Sequence, residues 1–153
     1  MRKRSSYRPK GVRLDVMGWI KQGMQPVAFM SQEILELKIK NHAAMDDLVK
    51  GRATRDTCDT IIAALNITEA LAILRIGDEY RPEISASQDA MFAMCRRGLT
   101  TNKFICSGPE LNALNLAMEI HDAQLDTCTI VEMEKAIDMV QKIVQNKKAR
   151  AIA

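Results

Sequence analysis

Residues 61–74 read IIAALNITEALAIL, apolar at all but three of fourteen positions. A helix drawn from about Asp56 to Ile76 carries only a thin polar stripe of Asp59, Asn66 and Glu69, and a helix that is apolar nearly all round has to be surrounded by other elements. This segment therefore predicts the centre of a helical assembly. The 153 residues suffice for one ordinary domain, and a chain with 4% aromatics and 10 methionines suits helix packing better than sheet packing.

The flanking sequence supplies the surrounding helices. Ser31 offers an N-cap, and Ile34, Leu37, Asn41, Ala44 and Leu48 recur three and four apart until Gly51, a natural helix stop. After Gly77 and Pro82, Ser85 with Gln88 reads as a capping box that opens a shorter helix, ending at Arg96, Arg97 and Gly98. A loop LTTNKFICSG follows, then Ser107, Pro109 and Glu110 start a helix whose seam is Leu111, Leu114, Met118, His121 and Leu125. Thr129 with Glu132 opens the last helix, where Ile130, Met133, Ile137, Val140 and Val144 give the cleanest three-four repeat in the chain. The expected fold is all-α: a compact bundle of about five helices joined by short loops.

Residues 14–30, LDVMGWIKQGMQPVAFM, are too interrupted by Gly18, Gly23 and Pro26 for a long helix, and Trp19 is expected to pin the chain's start to the body. Ahead of them stands a basic, extended arm over residues 1–13, which sets the arm apart from a single helical domain over 14–153. The arm holds Arg2, Lys3, Arg4, Arg8, Lys10 and Arg13, with Tyr7 and no acid. Residues 14–141 hold 12 bases against 19 acids, a net charge of −7, and Lys142, Lys147, Lys148 and Arg150 follow with no acid among them. Positive charge is thus gathered at both ends of an acidic middle. Arg and Lys on an extensible tail suit nucleic-acid phosphates, with Tyr7 as a stacking face, although a solvated tail has the same composition. The acidic middle is suited instead to a basic partner protein.

Cys58, Cys95, Cys106 and Cys128 lack any close pairing, so buried, reduced thiols are expected rather than a four-cysteine zinc site. No apolar run reaches the length of a membrane span and no signal-peptide pattern is evident, which predicts a cytoplasmic protein without a membrane partner. No glycine-rich phosphate loop, nucleophile elbow or zinc-protease motif is present. His121 beside Asp122 suggests a metal pair, but adjacent helical residues diverge by about 100°, and His42 is the only other histidine. His121 is therefore read as a core-flanking residue with one satisfied hydrogen bond, and Glu119, Asp122 and Asp126 as its outer face.

Glu33 and Glu36, with Asp56 and Asp59 on the next helix, form two carboxylate pairs of a kind that can hold Mg²⁺. They resemble the motif of all-helical nucleoside triphosphate pyrophosphohydrolases, whose second pair begins with Glu where this chain has Asp56. Each pair also has a local explanation: Glu36 can meet Lys40, and Asp56 and Asp59 suit a helix N-terminus. Across more of the chain, YRPKGVRLDVMGW, IKNHAAMDDLVKG, LNITEALA and ELNALNLAMEIHDAQLD resemble a group of small helical proteins encoded in bacteriophages and prophages. That resemblance implies an infected or lysogenic bacterial cytoplasm and a binding or regulatory role, and it transfers no site residues. The expectation is a non-enzymatic protein, without a cofactor, that associates with nucleic acid through Arg2, Lys3, Arg4, Tyr7, Arg8, Lys10 and Arg13. The alternatives are a binder of a host protein through the acidic helical surface and a Mg²⁺-dependent pyrophosphohydrolase; homo-oligomerisation is compatible with each.

Overall fold

The computed structural model describes residues 20–21 and 23–146. The basic arm, Trp19, Lys147, Lys148 and Arg150 lie outside the described residues. Among those described there are five α-helices: α1 (Ser31–Val49), α2 (Arg55–Ile73), α3 (Arg81–Thr101), α4 (Gly108–Thr127) and α5 (Ile130–Gln145). Two short 3₁₀ turns, Val27–Phe29 and Asp78–Tyr80, lead into α1 and α3.

Helix α2 is the centre that its sequence demands. It packs against all four other helices, and Ile61, Leu65, Thr68 and Leu71 are fully buried along it. The core has two main apolar clusters, one at either end of α2. One gathers Met45 and Leu48 of α1, Cys58 and Ile61 of α2, Met94 of α3 and Leu114 of α4. The other gathers Val27, Ile34, Leu71, Leu125 and Cys128 with Ala136 of α5. The late part of α1 thus meets the early part of α2 and the reverse, as an antiparallel pair joined by a short turn must.

Local chemistry sets the boundaries, not always where the sequence suggests. The expected caps at α4 and α5 form: Ser107 and Glu110, and Thr129 and Glu132, make reciprocal capping boxes. Helix α2 is capped by Thr54, whose hydroxyl and that of Thr57 cap each other's backbone N–H. It stops at Ile73, short of the predicted Ile76, because Arg75 turns left-handed (φ 73°). Ile76 then donates its N–H to Leu71 and Arg75 to Ala72, a Schellman ending with arginine where glycine is usual. Ser31 is the first residue of α1 and not its cap, since the preceding 3₁₀ turn runs straight into the helix.

Helix α3 departs furthest from expectation. The Ser85–Gln88 box is not used: the helix starts four residues earlier at Arg81, where Pro82 occupies a first-turn position that needs no N–H donor. It also runs through Gly98 to Thr101 and ends with Asn102 left-handed at φ 56°. Gly98 is no stop because the Phe104 ring packs directly on its bare Cα, where a Cβ would collide with the ring. Next to it in the chain, Arg97 clasps Glu110 through both terminal guanidinium nitrogens, at 2.7 and 2.6 Å, and donates to the Ile105 carbonyl. That clasp ties the end of α3 to the start of α4 and draws the Glu110 carboxyl down to about 2.

Gly98→Ala is expected to destabilise the fold by about 1–3 kcal/mol through overpacking, despite about 1 kcal/mol of helix propensity in alanine's favour. In a Phe104→Ala background the sign should reverse, since the obstacle is gone. Urea midpoints of the four proteins test this, and a Gly98→Ala cost that survives in the Phe104→Ala background would contradict the packing account.

Candidate functional site: an acid-rimmed apolar groove

The residues proposed from sequence for nucleic-acid contact, Arg2, Lys3, Arg4, Tyr7, Arg8, Lys10 and Arg13, all fall outside the described residues. The carboxylate pairs can be placed, and they are not brought together. Glu33 and Glu36 sit in the early turns of α1, at the end of the hairpin that faces the C-terminal part of α2. Asp56 and Asp59 open α2 and face the last turns of α1. The two pairs are separated by about ten residues of helix, roughly 15 Å at 1.5 Å per residue. Glu36 accepts from Gln32 instead, and no cluster of three or more His, Cys, Asp or Glu able to hold a metal occurs among the described residues. The thiols are likewise divided. Cys58, Cys95 and Cys106 belong to one apolar cluster and Cys128 to the other, with burial pushing Cys106 and Cys128 each up to about 11.

Between the two clusters lies a buried polar layer made of Asn41, Thr68, His121 and Gln124. Thr68 gives its hydroxyl proton to the Ala64 carbonyl at 2.8 Å, so its oxygen must accept from His121 Nδ1, 2.9 Å away. That fixes the imidazole as the Nδ1–H tautomer and leaves Nε2 as an acceptor. His121 is 1% exposed, and burial pushes its pKa down to about 4. It is the core histidine with one hydrogen bond that its place on the seam implies. Gln124, unremarkable in the sequence, donates to two backbone carbonyls of the α2 ending, Thr68 at 3.0 Å and Ile76 at 2.8 Å. At the surface above this layer, Lys38 pairs with Asp126 and His42 with Asp122, both at 2.7 Å. Asp122 is therefore half-buried and turned back toward α1, rather than standing on a free outer face. The layer has polar atoms but no approach from solvent, and its chemistry is that of a fastener.

The open feature is elsewhere. Helix α5 meets the body chiefly through α2 and buries only Ala136 fully. The seam read from the sequence is only partly turned inward: Ile130, Met133 and Val140 are half-covered, whereas Ile137 and Val144 are 40% and 58% exposed. The C-terminal half of α5 stands away from α3, and between them, over α2, runs a groove of about 570 Å³. Ile62, Leu65 and Ile73 of α2 form its floor, Met91 and Phe92 of α3 one wall, and Met139, Val140, Ile143 and Val144 of α5 the other. Among the described residues its lining includes Glu69 and Asp89 and no lysine, arginine or histidine. Glu69 accepts from the neutral amide of Gln88 at 2.9 Å. The size falls within the range of specific binding clefts. Its described lining is mostly apolar, and its character is that of a surface for apolar contact.

No helix among the described residues is long and apolar enough to cross a membrane. Comparison of the chain with protein-family models, with curated proteins and with solved structures finds no match.

The polar layer gives a pH dependence with a defined sign. His121 binds its proton less readily folded than unfolded, so the unfolded state takes up more protons between about pH 6.5 and 4. Stability is therefore fully present above about pH 6.5 and falls on acidification toward pH 4, by up to about 3 kcal/mol. Guanidinium titrations at stepped pH should show this slope in the native sequence and its absence in His121→Gln. A slope unchanged in that variant would remove His121 as its source.

Proposed function

We propose that this protein works by binding another protein through the groove between α3 and α5. The observation that carries the reading is the incomplete covering of α5: its apolar stripe is presented to a preformed cleft with Ile143 and Val144 still exposed. Contiguous apolar surface bordered by polar groups is the signature of an interaction site rather than of incidental exposure. The sequence resemblance to phage-encoded proteins makes a host protein the natural class of partner. Selection from a displayed library of random helical peptides tests the reading. Peptides enriched on the native protein should lose at least tenfold in affinity for Val144→Glu, an exposed position where a charge leaves the core intact. Enriched peptides that bind both proteins equally would overturn it.

A second reading, association with nucleic acid, is favoured by the distribution of charge. The described body holds 13 bases against 18 acids, a net charge of −5, while residues 1–13 hold six bases and no acid. Contact with a polyanion then belongs to Arg2, Lys3, Arg4, Arg8, Lys10 and Arg13, mostly to phosphates and with little sequence preference. If all six engage duplex DNA, log Kd should rise with log salt with a slope of about 5. Replacing all six by glutamine should abolish binding in fluorescence anisotropy. Equal affinity of the glutamine variant, or a slope near zero, would end this reading.

A further inference from the structure

We propose that Cys58 of α2 and Cys95 of α3 form a site of reversible oxidation, where a hydroperoxide converts the two thiols into a disulfide that ties these helices together. Both are free thiols in one apolar cluster, 2% and 4% exposed. They are also in contact: the Cys58 thiol hydrogen-bonds to the Cys95 sulfur. A disulfide needs its sulfurs at about 2.05 Å and its Cα atoms within about 7 Å. Two sulfurs in hydrogen-bond contact on packed helices come within reach of that by small side-chain movements. Cys106 borders the pair and is half-exposed, so this cluster has a side on which a small oxidant can arrive. Cys128 stands in the other cluster and serves as an internal control.

The contact also selects which sulfur reacts. The donated S–H holds Cys95 below the ordinary thiol range, against the opposing effects of burial and the Asp59 carboxylate, and the thiolate is the form that attacks a peroxide. Cys106 is better exposed, but burial and the Glu110 carboxylate keep its proton in place. The Cys95 thiolate attacks one oxygen of the hydroperoxide and breaks the O–O bond, leaving a sulfenic acid on Cys95 and an alkoxide that takes up the proton Cys95 released. The Cys58 sulfur then attacks the Cys95 sulfur, forms the S–S bond and expels hydroxide, which leaves as water with the Cys58 proton. Two thiols are oxidised, and one hydroperoxide is reduced to an alcohol and water. A dithiol reverses the bond by exchange.

The test treats the full, folded chain with hydrogen peroxide, quenches with an alkylating agent in denaturant and cuts with trypsin. Trypsin separates the thiols as needed: residues 56–75 hold Cys58 alone, 76–96 hold Cys95 alone, and 104–135 hold both Cys106 and Cys128. Mass spectrometry should find 56–75 joined to 76–96 as the main disulfide, and dithiothreitol should remove it. Linked peptides are read rather than the whole-chain mass, because methionines take up oxygen as well. Cys106→Ser should leave the yield of this link unchanged, and Cys58→Ser should leave a sulfenic acid on 76–96 that dimedone traps. Because a bond between residues 58 and 95 restricts the unfolded chain, the oxidised protein should unfold at a higher urea concentration than the reduced one. A main link to 104–135, dimedone on 104–135 in place of 76–96, or thiols all still open to alkylation after treatment would each overturn the proposal. So would a urea midpoint that falls on oxidation, since the bond would then be forcing the helices out of place.

Discussion

The hydrogen bond from His121 to Thr68 holds α4 against α2 at the level where one apolar cluster gives way to the other. Apolar side chains alone would pack nearly as well after a slip of one helical turn, because isoleucine, leucine and alanine recur round most of α2. A slip of about 5.4 Å would instead place these polar groups against buried apolar neighbours one turn away, such as Leu65, Leu71, Met118 or Leu125. Each polar group so displaced costs on the order of 1–3 kcal/mol. The layer therefore sets register more than it adds stability, and Lys38 and His42 extend the same register from α1 to Asp126 and Asp122. Gln124 closes the arrangement by holding the carbonyls where α2 ends.

With α1 to α4 locked in this way, the position of α5 is decided at its root. Only Cys128 and Thr129 separate α4 from α5, and residues 25–27 clamp that joint: Val27 donates to the Cys128 carbonyl and Ile130 to that of Gln25. Gly23 packs where a Cβ would strike Val131, so the chain segment before α1 lies tightly against the first turn of α5. The helix is thus rigidly held where it starts and progressively less covered where it ends. The groove results from that geometry, since α3 leans with α4 through the Arg97–Glu110 clasp and does not follow α5.

The sequence is most readable where the determining contacts are local. Ser107 with Glu110 and Thr129 with Glu132 act within four residues, and both boxes form where they are written. The inward seam of α1, with Asn41 on it, and the burial of α2 follow from periodicity. Ser85 with Gln88 has the same local form but loses to Pro82 and the preceding 3₁₀ turn, and Gly98 reads as a stop only until Phe104 is seen covering it. Gln124 could not be recognised as a fastener, because its partners are carbonyls 56 and 48 residues away. The groove was illegible for a related reason: periodicity says which face of α5 is apolar, not whether a neighbour comes to cover it.

The described body is net acidic and residues 1–13 are basic, so the two suit partners of opposite charge. Several of the body's bases are engaged where helices end or cross: Arg52 with Asp46 and Asp47, Arg75 with Asp78, Arg97 with Glu110 and Lys38 with Asp126. A polyanion brought flat against this surface would meet net negative charge. Thirteen residues fully extended reach at most about 45 Å, several times the Debye length of about 8 Å in physiological salt. Phosphates held by residues near the chain's start would then lie outside the body's field, and the groove would be left to a separate partner. A division of labour between the chain's start and its α5 edge is therefore electrostatically consistent, whereas a single shared contact surface is not.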